Sequence, residues 1–127
     1  MKKVIQSELA PKAIGPYSIG IIYNQFVFTS GQIGIDPESG ELVAGGIELE
    51  TRRALQNLKI VLESGGSSIK NVIKTTVFLK DIAEFGRMNA IYSEFFTDVP
   101  PARSAIQVAA LPKGAAIEIE AIAYIEN

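Results

Sequence analysis

The chain has 127 residues, 47% of them apolar and 20% charged, with 12 Lys and Arg against 14 Asp and Glu for a formal net charge of −2. That size predicts one globular domain over residues 1–127, able to bury roughly two thirds of the surface its unfolded form exposes. With no cysteine and no histidine, thiolate nucleophiles, disulfides, zinc fingers, His-based triads and imidazole metal sites are excluded. Any catalysis must come from carboxylates, Arg, Lys, Tyr, Ser, Thr, backbone groups and water.

In chain order, residues 19–23 and 26–30 are β-branched and aromatic runs split by Asn24-Gln25, which is hairpin spacing. A short strand at Val4-Ile5 precedes them. Asp36-Pro37-Glu38-Ser39-Gly40 is a turn cluster, since Pro presets φ and Gly accepts a positive one. From Ile47 to Ser64 the apolar positions Ile47, Ala54, Leu55, Leu58, Val61 and Leu62 form one stripe of helical period, with Glu48 and Glu50 placed to favour the macrodipole. Gly65-Gly66 supplies the stop. Residues 72–80 read as a strand. Asp81, with Glu84 three residues on, is set to cap a second helix in a variant of the capping box, and Phe85, Met88, Tyr92 and Phe95 form its expected buried stripe. Gly86 sits in that helix's first turn, where it costs about 1 kcal/mol against Ala. Pro100-Pro101 ends the helix, and strands at 103–109 and 115–125 follow, joined through Leu111-Pro112-Lys113-Gly114.

The order ββαβαββ predicts an α+β fold, a mixed β-sheet with two helices packed on one face. In the last strand Ile117, Ile119, Ala121, Ala123 and Ile125 share the side expected under the helices, while Glu118, Glu120, Ile122, Tyr124 and Glu126 share the other. A sheet whose second face is half apolar and uncovered by its own chain predicts a closed oligomer. Residues 1–12 contain no apolar run of signal-peptide length, and nothing approaches the ~20 apolar residues of a membrane span, which points to a cytoplasmic protein without a membrane partner. Its scattered cations make nucleic acid an unfavoured partner.

Arg103 opens a strand directly after a rigid Pro-Pro segment, where its planar fork suits bidentate capture of a carboxylate. Position alone favours the plainer reading, a surface arginine in a screened ion pair. Glu118 and Glu120 lie i, i+2 on one strand face, as a general base or water-positioning pair, or as a solvated face; the pattern does not separate these. The last two strands are expected to pair, with Arg103 opposite Glu120 or Ile122, which leaves Glu118 roughly 7 to 13 Å away at ~3.3 Å per residue. An Arg and a Glu acting on one small substrate would then come more easily from different subunits. Ser30-Gly31-Gln32-Ile33-Gly34 ends a strand in small residues, and Gly permits close backbone approach by a ligand. Its Gly31 to Gly34 spacing matches a GXXG loop only superficially, because it follows a strand and lacks basic neighbours. Gly15-Pro16-Tyr17-Ser18 is a turn presenting a phenol. Gly45-Gly46 and Gly65-Gly66 lack the Lys-Ser/Thr of a phosphate loop.

Taken together, Ile14-Gly15-Pro16-Tyr17-Ser18, Ser30-Gly31-Gln32-Ile33, Gln56-Asn57-Leu58, Met88-Asn89, Pro101-Ala102-Arg103-Ser104, Val108, Leu111-Pro112 and Ile117-Glu118-Ile119-Glu120-Ala121 resemble the RidA/YjgF family of enamine/imine deaminases almost end to end. The resemblance implies a chorismate-mutase-like fold assembled as a homotrimer, with ligand sites between subunits. It implies cofactor-free hydrolysis of amino-acid-derived enamines and imines, such as 2-aminoacrylate and 2-aminocrotonate, to 2-keto acids and ammonia. Carried across by motif, Arg103 would bind the substrate carboxylate and Glu118 would position or activate water. Tyr17 and Ser30 would line the site, Gly31 would offer backbone contacts and Asn89 would support it. Ala105, also on the substrate side, stands where the family often has Cys, so thiol-based control is not implied here. Two alternatives accompany this expectation: a trimer that binds 2-keto acids or other small carboxylates without turnover, and, less favoured, an endoribonuclease or translation inhibitor.

Overall fold

The computed structural model describes all of residues 1–127. The chain forms β1 (Lys3–Val4), β2 (Gly20–Tyr23), β3 (Phe26–Thr29), α1 (Ile47–Ser64), β4 (Val72–Leu79), α2 (Phe85–Phe95), β5 (Ala102–Gln107) and β6 (Ile117–Tyr124). These strands make one six-stranded sheet in the order β1-β2-β3-β6-β4-β5. Only β4 and β5 pair in parallel; the other neighbours are antiparallel. The expected α+β sheet with two helices on one face is what the chain adopts.

Local chemistry explains the element ends. Asn24 takes the positive φ of 54° that a two-residue hairpin turn demands. After α1, Gly66 has φ 86° while Gly66 N–H donates to Glu63 O and Ser67 N–H to Leu62 O. That pair of bonds is a Schellman closure, for which a residue without Cβ is favoured. Asp81 Oδ1 accepts from Ala83 N–H at 2.9 Å, but the cap serves a 3₁₀ turn, Ile82–Glu84, that precedes α2. The reciprocal half of the expected capping box is not made, because the Glu84 carboxylate turns to Arg87.

The stripe of α1 is buried as its spacing predicts, and it joins Val27, Val77, Leu79, Ile117 and Ile119 of the sheet in one core. On α2 the buried set is Met88, Ile91 and Tyr92, whereas Phe85 and Phe95 are half-buried. Phe96 goes inside in place of Phe95, because the chain leaves the helix there at φ −110° and ψ 74°. No helix is long and apolar enough to cross a membrane.

The register expected between the last two strands is corrected by the structure. Strands β5 and β6 are not neighbours: β4 lies between them, with Arg103 opposite Thr75 and Thr75 opposite Ala121. The reason is topological. Helix α2 carries the chain from the end of β4 back to its start, so β5 is laid parallel on one edge of β4 and becomes the sheet's rim. The loop after β5 then returns the chain antiparallel on the other edge. On the face away from the helices, Phe26 and Phe28 stand beside Tyr124 and Ile122, and Phe78 beside Ile106. Phe26, Phe28 and Ile106 are each more than 40% exposed, so this face, which also carries Lys74, Thr76, Ser104, Glu118 and Glu120, is half apolar and uncovered by the chain itself.

Candidate functional site

Beyond the end of β3 the pairing with β6 changes phase. Phe28 is opposite Ile122 and Gln32 opposite Ile119, so four steps on one side match three on the other. The surplus residue is a bulge, the device by which sheets redirect side chains beside a cleft. At this bulge the Glu118 carboxylate lies against Gly31 so closely that a Cβ there would collide with it. Gly31 is therefore required by proximity.

Glu118 opens into a cleft of about 540 Å³, whose walls include Tyr17, Ser30, Gly31, Gln32, Ile33 and Pro112. Tyr17 Oη accepts from Ile14 N–H at 3.4 Å, which leaves its own hydrogen free to donate. Ser30 Oγ donates to Ser18 O at 2.6 Å, tying the end of β3 to the Tyr17 turn and leaving only acceptor capacity. Half-buried here, Glu118 has its pKa raised, first by desolvation and second by the like charge of Glu120. Lys12 and Lys113 stand at the rim. The floor is fixed from behind by Asn57, whose Nδ2 donates to Ile33 O at 3.1 Å and Ile35 O at 2.8 Å while Oδ1 accepts from Arg53.

Arg103, Asn89 and Ala105 are elsewhere. Arg103 Nη1 donates to Asn89 Oδ1 at 2.8 Å, and the guanidinium lies 5.2 Å from the ring centre of Phe85 and 4.7 Å from that of Tyr92. Ala105 follows on the same strand face, opposite Val77 and packed on the core. All three belong to the helix side of rim strand β5. Glu118 is three residues along β6 from Ala121, hence on the opposite face, and β4 intervenes. The structure thus gathers Tyr17, Ser30, Gly31 and Glu118 into one cleft and Arg103, Asn89 and Ala105 into another place. No single intrachain pocket holds both charges.

Several residues at these two places carry no site signal in the sequence. Lys12, Lys113 and Gln32 had no spacing signal, because separate loops bring them to the cleft. Asn57 is fully buried, and a polar residue beside the apolar stripe of α1 was the available clue. Phe85 and Tyr92 have the spacing of a core stripe, which hides their place beside Arg103. No group of three or more His, Cys, Asp or Glu side chains is arranged to hold a metal ion. The donors present are suited to binding a small carboxylate and assisting attack by water.

Comparison with known proteins gives a consistent result. The sequence model of the family described as Endoribonuclease L-PSP matches residues 7–125. A 2-iminobutanoate/2-iminopropanoate deaminase of Rattus norvegicus is 52% identical over 123 residues, covering 97% of this chain and 90% of the relative. A crystal structure from Thermotoga maritima superposes with a TM-score of 0.96 at 53% identity, covering all of both chains. Escherichia coli TdcF, solved with bound serine, gives a TM-score of 0.93 at 41% identity, covering 98% of this chain and 99% of that one.

Proposed function

The chain belongs to the RidA/YjgF family, whose sequence model is the Endoribonuclease L-PSP one, and from that premise we propose that it is a cofactor-free hydrolytic deaminase. Its substrates are enamines and imines of the 2-aminoacrylate and 2-aminocrotonate type, and its products are 2-keto acids and ammonia. The observation that carries the reading is Arg103. It is half-buried, and no carboxylate of its own chain pairs with it: the three ion pairs use Arg52 and Arg87. A half-buried guanidinium without a counter-ion is a ready donor to a substrate carboxylate.

With that carboxylate on Arg103, the protonated imine carbon would face Glu118. The carboxylate takes a proton from water as the oxygen bonds to carbon, giving a carbinolamine. Glu118 returns the proton to nitrogen, the C–N bond breaks as C=O forms, and the hydroxyl proton leaves with ammonia as ammonium. A raised Glu118 pKa suits both halves, because the group must accept and then donate near neutrality. Tyr17 would donate to the ligand, Gly31 would offer backbone contact and Ser30 would accept, with Asn89 steadying Arg103 and Ala105 lining the carboxylate end. The placement of Arg103 and Glu118 on opposite sides of one sheet supports a site composed between subunits of a homotrimer, across the half-apolar face left open by each chain.

Serine in TdcF supports a second reading, a trimer that holds amino-acid-like carboxylates without turnover. The endoribonuclease description is not carried over, since 12 cations against 14 anions and no histidine give neither a phosphate-tracking surface nor an imidazole acid–base pair. The test is keto-acid release from 2-aminoacrylate and 2-aminocrotonate generated by a pyridoxal-phosphate dehydratase, with and without this protein. Acceleration that falls at least ~100-fold in Arg103→Ala, about 3 kcal/mol of transition-state binding, is expected. No acceleration, with 2-ketobutyrate still bound, would leave the binding-only reading.

A further inference from the structure

The surroundings of Arg103 contain more than a ligand site requires. Phe85, Asn89 and Tyr92 are spaced i, i+4, i+7 along α2, so one helix face supplies both rings and the amide that meet the guanidinium. Tyr92 is pinned in turn: its hydroxyl lies 2.7 Å from Thr75 Oγ1, in a buried contact. Thr75 is the residue of β4 directly beside Arg103. The tether and the cation are therefore mounted on adjacent strands, which fixes the ring relative to the charge it faces.

Every one of these partners is neutral. A ring face attracts a cation through its quadrupole without neutralising it, whereas a carboxylate in the same place would compete with an incoming anion. An arginine on a flexible stem would lose rotamer freedom when it captured a ligand; one already held by two rings and an amide loses less.

We propose that Phe85, Tyr92 and Thr75 are positioning residues that hold the Arg103 guanidinium uncompensated and fixed in orientation for a substrate carboxylate. The inference rests on the deaminase reading and identifies what makes its anion anchor effective. None of the three need touch substrate. Their contribution lies in ground-state and transition-state binding of the carboxylate alike, so it should be read in KM and not in kcat.

The test measures KM and kcat for 2-aminocrotonate-derived imine, and Kd for 2-ketobutyrate by calorimetry, in Phe85→Leu, Phe85→Tyr, Tyr92→Phe and Arg103→Ala. Phe85→Leu should raise KM and Kd about 5- to 20-fold, with kcat changed less than about twofold, and Phe85→Tyr should restore both to within about threefold. Tyr92→Phe keeps the ring but frees it from Thr75, and should raise KM about 2- to 5-fold. Phe85 is only half-buried, so its variants are expected to fold, and Tyr92→Phe serves if they do not. The proposal is overturned if Phe85→Leu and Tyr92→Phe leave KM and Kd within twofold while Arg103→Ala abolishes binding. It is equally overturned if kcat, KM and Tm deteriorate together in both, the pattern of a merely structural role. Wild-type affinity for 2-ketobutyrate in Arg103→Ala would instead overturn the carboxylate reading itself, and the positioning role with it.

Discussion

Arg103 and Glu118 project from opposite faces of one sheet, separated by strand β4 through the alignment of Arg103 with Thr75 and of Thr75 with Ala121. Two strand spacings amount to about 10 Å across, and three residues to about another 10 Å along. A ligand with a three-carbon backbone cannot bridge that path within one chain.

Subunit mixing follows from this. Homogeneous Arg103→Ala and Glu118→Gln proteins should each keep only a small residual rate, yet co-refolding them in equal amounts should restore about a quarter of wild-type activity, since each mixed ring regains one composite site. Arg103 and Glu118 serving the same site from one chain would give no recovery on mixing.

The pH dependence has a definite sign. Desolvation, with Glu120 second, holds the Glu118 pKa above its ordinary value, and the ionised form is the base. kcat/KM should therefore fall on acidification with a midpoint above the usual carboxylate range, and the residual rate of Glu118→Gln should lack that limb. The same shift bears on stability: a folded-state pKa raised above the unfolded one means that the folded chain loses stability as pH rises through that interval. Glu118→Gln should accordingly raise Tm at pH 7, with little effect below the ordinary carboxylate pKa. A Tm unchanged at pH 7 would contradict the desolvated placement.

Gly31→Ala forces a Cβ into the Glu118 carboxylate. The carboxylate is the movable partner, so the fold should survive while the base is displaced. A drop of about 10- to 100-fold in kcat is expected, a partial loss of the roughly 100- to 10,000-fold that general-base assistance supplies, with Kd for 2-ketobutyrate changed far less. Wild-type kcat would show that the position of this carboxylate is unimportant.

Asn57→Ala removes the amide that donates to Ile33 O and Ile35 O; Ile33 O keeps its bond from Ile35 N–H, so Ile35 O is the acceptor left bare. Urea denaturation should report a loss of about 1–3 kcal/mol, the penalty of a buried acceptor left without a donor. Asn57→Asp should be worse at neutral pH, because it keeps the acceptor facing Arg53 but sets a carboxylate against two carbonyls. An equal or smaller loss in Asn57→Asp would argue that water replaces the amide.

Periodicity made the layers legible. The stripe of α1 and the alternation along β6 identified the core and the open face, because burial on one side imposes a period that survives in any register. Pairing partners were not legible: consecutive strands β5 and β6 were expected to be adjacent, and nothing local to either one records that α2 returns the chain to β4's far edge. Of the candidate site, Arg103 and Glu118 stood out as charges in restrictive contexts, and motif resemblance supplied Tyr17, Ser30, Gly31 and Asn89. Tyr92 carried no distinguishing mark, since a ring that faces a guanidinium and a ring that faces leucines have the same helical spacing. Lys12 and Lys113 are brought to the cleft by separate loops and leave no pattern at all.

The four-against-three pairing between Phe28–Gln32 and Ile119–Ile122 makes chain length itself part of the cleft. Removing or adding one residue between Thr29 and Gln32 would shift the alternation by a single step, exchanging which side chains face the carboxylate and which face the core. Neither helix would have to move. Length is therefore as constrained in this short segment as the side chain is at Gly31, and a one-codon deletion there would be expected to silence the cleft in a protein that still folds.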